Sequence, residues 1–169
     1  GSTSVTATYG SSMPSITKPT RSYTVTYNAN SGSVSPTSST VNYIFNGYYR
    51  TDVNAQNKNV QYYNSDGSSA KNWDQTEDAT LHATWNSNSL TLSTPTRTGY
   101  TFDGWYNQSS GGTKVGDAGE IYTPTQNITL YAHWSINSYY LDLNGYLDGT
   151  ISGSLSDYGT ADVYVNGSL

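Results

Sequence analysis

Residues 79–89, ATLHATWNSNS, return at 128–138 as ITLYAHWSINS, 49 positions later, with six of eleven pairs identical. Such self-similarity constrains the fold more than any composition, because each copy must be a supersecondary unit that can be built twice. A second pair sets Tyr43-Ile44-Phe45-Asn46-Gly47-Tyr48-Tyr49 against Tyr100-Thr101-Phe102-Asp103-Gly104-Trp105-Tyr106, 57 positions apart. A third sets Pro19-Thr20-Arg21 against Pro95-Thr96-Arg97, 76 positions apart. The three signatures occur twice in the same order, so the unequal offsets measure insertions. The first copy carries about 19 extra residues after its Pro-Thr-Arg and about 8 more before its Trp.

The organisation expected is a first module at 1–85, a second at 86–134 and an incomplete third at 135–169. The insertion in the first module, at about 22–42, reads as a β-hairpin: Thr24-Val25-Thr26-Tyr27, a Gly/Asn loop, then Thr40-Val41-Asn42-Tyr43. The third module opens with Tyr139-Tyr140-Leu141-Asp142-Leu143 and an Asn144-Gly145 turn signal, and strand character returns at 160–165. Gly1-Ser2 resembles a cloning scar, and Leu169 follows strand-like residues with no terminator, so the chain reads as a piece of a longer protein.

Period decides the element type. Leu81, Ala83 and Trp85 alternate with His82 and Thr84, and Leu130, Ala132 and Trp134 repeat the pattern, which places Leu, Ala and Trp on a buried strand face. Both Trp85 and Trp134 are therefore expected to be buried in their own modules. Strict alternation puts Phe102, Gly104 and Tyr106 on one face, with Gly104 leaving room for a neighbouring ring. No window of eleven residues has a helical period; the best helical stretch is 69–75, within the eight-residue insertion, and supports one or two turns. Ser, Thr and Asn total 65 residues, and all three disfavour helix interiors. The fold class expected is mostly β, in tandem small sheet modules with short helical turns only.

Composition narrows the chemistry. Charged residues make up 11% of the chain, aromatic residues 14%, including 17 Tyr, and the net charge is -5. That is not the high-charge, low-aromatic composition of a disordered chain. Without a Lys/Arg cluster, neither nucleic acid nor an anionic membrane is an expected partner. No apolar run is long enough to span a bilayer. The absence of Cys removes disulfides, thiolate catalysis and Cys-ligated zinc.

Each chemical motif has a plainer reading. His82 and His133 occupy non-equivalent slots, opposite Tyr131 and Thr84 in the alignment, and alternation points both away from the Trp face. The 12 acidic residues are scattered over loops, with no sugar-sized cleft to hold a glycosidase pair. Asp142-x-Asn144-Gly145-x-x-Asp148-Gly149 lacks the spacing and final Glu of a calcium loop and reads as turn chemistry. Gly111-Gly112 does not meet the phosphate-loop pattern. Asn107, Asn127 and Asn166 begin glycosylation triplets, to which no weight is given. No catalytic residue, cofactor or metal is expected, and the chain reads as a non-enzyme. The aromatic group Tyr48, Tyr49, Trp105 and Tyr106 is the candidate ligand contact, weighed against its use in packing.

Residues 95–106 (PTRTGYTFDGWY), 110–114 (SGGTK) and 128–134 (ITLYAHW) together resemble the Listeria-Bacteroides repeat, or internalin B-type B repeat. The likeness is close over 86–134, holds with two insertions over 13–85, and is by analogy only over 135–169. It implies a β-grasp-like module, a small mixed sheet with at most a short helix. It also implies tandem use as a spacer or adhesive module on a bacterial surface or secreted protein, with a host or extracellular protein or glycan as partner. The family carries no catalytic residues to transfer. A carbohydrate-binding module attached to a secreted enzyme is the alternative.

Overall fold

A computed structural model describes residues 4–51, 59–141 and 160–163. The described residues are strands and turns, and the chain is mostly β. Eleven strands are described: β1 (Arg21–Asn28), β2 (Ser38–Thr51), β3 (Asn59–Tyr63), β4 (His82–Asn86), β5 (Leu90–Thr91), β6 (Tyr100–Tyr106), β7 (Lys114–Gly116), β8 (Ile121–Tyr122), β9 (Ile128–Ile136), β10 (Ser138–Leu141) and β11 (Thr160–Val163). They divide between two compact units, one of Gly1–Tyr23 with Val41–Asn88, the other of Thr24–Thr40 with Ser89–Leu169. Most of the hairpin that interrupts the first repeat in sequence, Thr24–Thr40, thus falls within the second unit.

In the second unit β9 is central. It pairs antiparallel with β6 on one side and parallel with β1 on the other, through Val25–Ile128, Thr26–Thr129, Tyr27–Leu130 and Asn28–Tyr131. β7 continues the sheet beyond β6. Val25, Tyr27, Leu92, Trp105, Leu130 and Ala132 form the core, with Phe102, Val115 and Trp134 packed against it. The short β5–β8 ribbon carries Leu90 and Tyr122 against the same core. Further along, β10 and β11 pair in parallel from Ser138–Thr160 to Leu141–Val163. That places strands at the two stretches of 135–169 whose sequence has strand character; residues 142–159, with the Asn144-Gly145 turn and the calcium-like pattern, and 164–169 lie outside the described residues.

In the first unit β2 pairs antiparallel with β3 and with β4. Met13, Tyr62 and Tyr63 are buried, with Ile16, Tyr48, Val60, Trp73 and Leu81 against them. The helical turns expected near 69–75 do not form. Their backbone groups bond to distant segments instead: the Ala70 N–H donates to the Tyr62 carbonyl, the Trp73 N–H to the Ser11 carbonyl, and the Trp73 carbonyl accepts from the Gly10 N–H. A two-turn helix gains few internal bonds for the entropy it costs, so these long-range partners prevail.

The sheet faces also depart from strict alternation. Between Phe102 and Gly104 the register slips: Phe102 opposes Trp134, Gly104 opposes His133 and Trp105 opposes Ala132, so Asp103 and Gly104 form a β-bulge. Phe102 and Trp105, not Phe102 and Tyr106, therefore share the core side, their rings 5.4 Å apart. β2 slips at the same place, with Phe45 opposite Trp85, Gly47 opposite Thr84 and Tyr48 opposite Ala83. Glycine is required at both bulges. Gly104 has φ +138° and Gly47 φ +126°, where L side chains are strained.

Candidate aromatic contact site

The bulge sorts the four nominated aromatics. Trp105, the residue after the bulge glycine, is 0% exposed; its indole N–H donates to the Ser93 carbonyl at 2.8 Å, and Tyr27 packs on it at 4.9 Å. That leaves no face of the indole for a ligand. Tyr48 holds the matching position in the first unit, half-buried against Phe45 at 5.2 Å and Tyr63 at 6.0 Å. Tyr49 and Tyr106, one residue on, turn to the opposite side of their strands and are half-exposed.

Tyr106 lies flat on His133, with ring centroids 3.8 Å apart and planes 5° apart. Their stacking follows from register, because Tyr106 opposes Tyr131 and the bulge brings His133 opposite Gly104. The His133 ring bonds through Nε2 to the Gln108 carbonyl at 2.9 Å. A side chain at Gly104 would collide with the Lys114 Cε at 2.4 Å, so the glycine lets the lysine stem cross the strand. Lys114 also pairs with Asp117 at 2.7 Å, which raises its pKa. Tyr49 opposes His82, which is exposed, and its hydroxyl donates to the Asn46 carbonyl at 3.4 Å. The four aromatics thus form two matched pairs, one in each unit, each with an inward and an outward member.

Trp85 and Trp134 are half-buried, not fully buried. On β9 the innermost positions go to smaller side chains, Leu130 and Ala132 both being 0% exposed, whereas on β4 Leu81 and Ala83 are half-buried like Trp85. Trp134 instead caps the edge of the core. Phe102 packs on it at 5.4 Å, and its indole N–H donates to the Ala29 carbonyl at 2.9 Å. Residues 29–33 wrap this ring tightly: the Asn30 amide donates to the Ala132 carbonyl at 2.8 Å, and a side chain at Gly32 would meet the Trp134 ring at 2.7 Å. A shallow, open groove of about 460 Å³ borders this loop, with Thr26, Asn28, Ser33, Thr37 and Thr129 in its lining. Its lining contains no carboxylate, amine or imidazole.

One polar cluster escaped sequence reasoning. In the first unit the Asp74 carboxylate accepts from Lys71 at 2.5 Å and from the Tyr62 hydroxyl at 2.5 Å, and Gln75 donates to both Asp74 and the Tyr62 oxygen. The Lys71 ammonium, followed by the two neutral donors, holds Asp74 well below the usual carboxylate range. Burial, then the Asp74 hydrogen bond, pushes the Tyr62 phenol up. Arg50 also donates to Gln75. This cluster ties the insertion loop to β3. Lys71-x-x-Asp74 is visible in sequence, but its target Tyr62 lies across a loop that no local pattern predicts. Among the described residues no group of three metal-ligating side chains comes together, and no helix is long and apolar enough to cross a membrane.

Residues 59–133 match the model of the Listeria-Bacteroides repeat domain. Internalin H of Listeria monocytogenes serovar 1/2a is 53% identical over 45 residues, which is 27% of this chain and 8% of that protein. The chain therefore spans a small fraction of the relative's length. No solved structure gives a significant match. Over residues 59–133 the chain is thus similar to the Listeria-Bacteroides repeat.

Proposed function

We propose that this chain is a non-catalytic, structural or adhesive repeat segment of a bacterial cell-surface or secreted protein. It acts as a spacer stalk or presents a protein-binding face, with modules running in sequence as 1–85, 86–134 and an incomplete unit from 135. The observation that carries this reading is the duplicated aromatic bulge: the same Phe, Gly and Trp positions are built twice with the same register. In each copy the residue after the glycine turns inward, to a core position at Trp105 and a half-buried one at Tyr48. Repetition of a packing unit is what a spacer needs, and aromatic side chains used for packing are not free for ligand. The match to a family that includes part of an internalin supports the surface setting.

The second reading, a carbohydrate-binding module of a secreted enzyme, is favoured by one feature, the stacked Tyr106–His133 pair on the outward side. A flat ring with a polar tip suits a sugar face. A glycan array decides between them: the spacer reading expects no saturable binding, whereas saturable binding lost in Tyr106→Ala but kept in Tyr49→Ala supports the carbohydrate module.

A further inference from the structure

The strand β4 of the first unit and β9 of the second match on one side and differ on the other. Phe45 packs on Trp85 at 5.4 Å and 61°, Phe102 on Trp134 at 5.4 Å and 64°, and both strands face a bulged partner in the same register. On its far side β9 carries β1, through residues 128–131. Among the described residues β4 pairs with β2 alone.

Three consequences mark the difference. β9 begins at Ile128, but β4 begins only at His82, the counterpart of Tyr131; the residues that would face a parallel partner, 79–81, are not in strand conformation. Leu130 and Ala132 are fully buried, whereas their counterparts Leu81 and Ala83 are half-buried. The Trp134 indole N–H has the Ala29 carbonyl from the loop after β1, whereas the Trp85 indole N–H is buried with no acceptor. A buried donor normally finds a partner, so an orphan at the one position where its twin is satisfied indicates a missing carbonyl.

We propose that residues 79–85 form an acceptor edge for a parallel β-strand and its following loop, of the chemistry of Tyr23–Gly32, supplied by another repeat of this type. The incoming strand extends β4 back to residue 79 through backbone hydrogen bonds. Its alternate apolar residues, in the places of Val25 and Tyr27, complete the burial of Ala83 and of Leu81, which already packs on the Met13, Tyr62 and Tyr63 cluster. Its Asn/Gly loop brings a backbone carbonyl to the Trp85 indole, as Ala29 does for Trp134. The Arg21 guanidinium, 4.7 Å above the Trp85 ring, belongs to an exposed side chain and can move aside.

The test uses the full 169-residue chain, labelled with nitrogen-15, and a synthetic peptide of residues 22–33. Expected is one-to-one binding that shifts the Trp85 indole N–H resonance and slows amide exchange at 79–82, with the Trp134 indole unmoved. The same peptide with Val25→Pro should not bind, because the ring removes a donor and fixes the backbone. Trp85→Phe, first shown to keep a folded spectrum, should bind roughly five- to tenfold more weakly through loss of one hydrogen bond. No response at millimolar peptide overturns the proposal. So does a response at Trp134, which would mean exchange with β1, or self-association of the chain that the peptide does not compete, which would mean a second copy covers the edge. Unchanged affinity of Trp85→Phe overturns the assigned loop carbonyl.

Discussion

The two units hold the same motif in unequal states of completion. In the second, the ring after the bulge glycine is a tryptophan with no exposed surface, its N–H bonded to Ser93, and the strand opposite is paired on both edges. In the first, the same position is a half-buried tyrosine, and the matching strand pairs with β2 alone among the described residues. Phe, Gly and Trp suffice to fix the local bulge, since it forms identically in both units. Filling the core requires a further strand, and that strand lies far from the motif in sequence.

The largest effect expected is from Trp105→Ala. Removing a fully buried indole should cost about 3–5 kcal/mol, a large part of what a small domain has. Denaturant unfolding should show loss of the second unit, with amide exchange in the first changing far less; Tyr48→Ala, from a half-buried site, should cost visibly less. Equal costs would break the contrast in core completeness.

Next come the bulge glycines. An alanine at either is strained by roughly 1–3 kcal/mol from positive φ alone. At position 104 the new methyl meets the flexible Lys114 stem, but at position 47 it meets the Tyr63 backbone carbonyl at 2.3 Å. Gly47→Ala should therefore destabilise more than Gly104→Ala in thermal unfolding, although its unit is the less complete one.

A smaller effect separates the two indoles. Trp134→Phe removes a bonded N–H while the Ala29 carbonyl keeps its bond from the Gly32 N–H, for about 0.5–1.5 kcal/mol. Trp85→Phe removes an orphan donor and should be near neutral in the chain alone. Equal losses would show that the Trp85 N–H has an acceptor after all.

The smallest effect is a pH dependence confined to the first unit. Asp74 has a folded pKa depressed below its ordinary value of 3.8, so its contribution is present above that value and is lost as pH falls through the folded pKa. The group is 46% exposed, so solvent screening keeps the contribution modest. Thermal melts from neutral pH to below about pH 4 should show a loss in the first unit that Asp74→Asn reduces.

Much of this was legible from residues alone. The duplicated ATLHATW and ITLYAHW strands fixed the β period, the repeat and the resemblance, because a period of two is local and survives any packing. The inward Leu130 and Ala132 followed from the same alternation. The bulge was half visible: a glycine inside a strand pattern signals irregularity, but which residue it turns inward depends on the partner's register. Hence sequence left Trp105 open between packing and ligand contact, while the fold places it in the core. Residues 69–75 misled for a related reason, their hydrogen-bond partners lying at Ser11 and Tyr62.

Strand type and the doubling of the module were thus determined by the sequence, since alternation and identity are properties of neighbouring residues. Only the tertiary structure decided that the hairpin interrupting the first repeat would supply β1 to the second, pairing Val25 with Ile128 and capping Trp134 from Ala29. Strand pairing joins residues about a hundred positions apart through generic backbone groups, and such groups carry no signature of their partner.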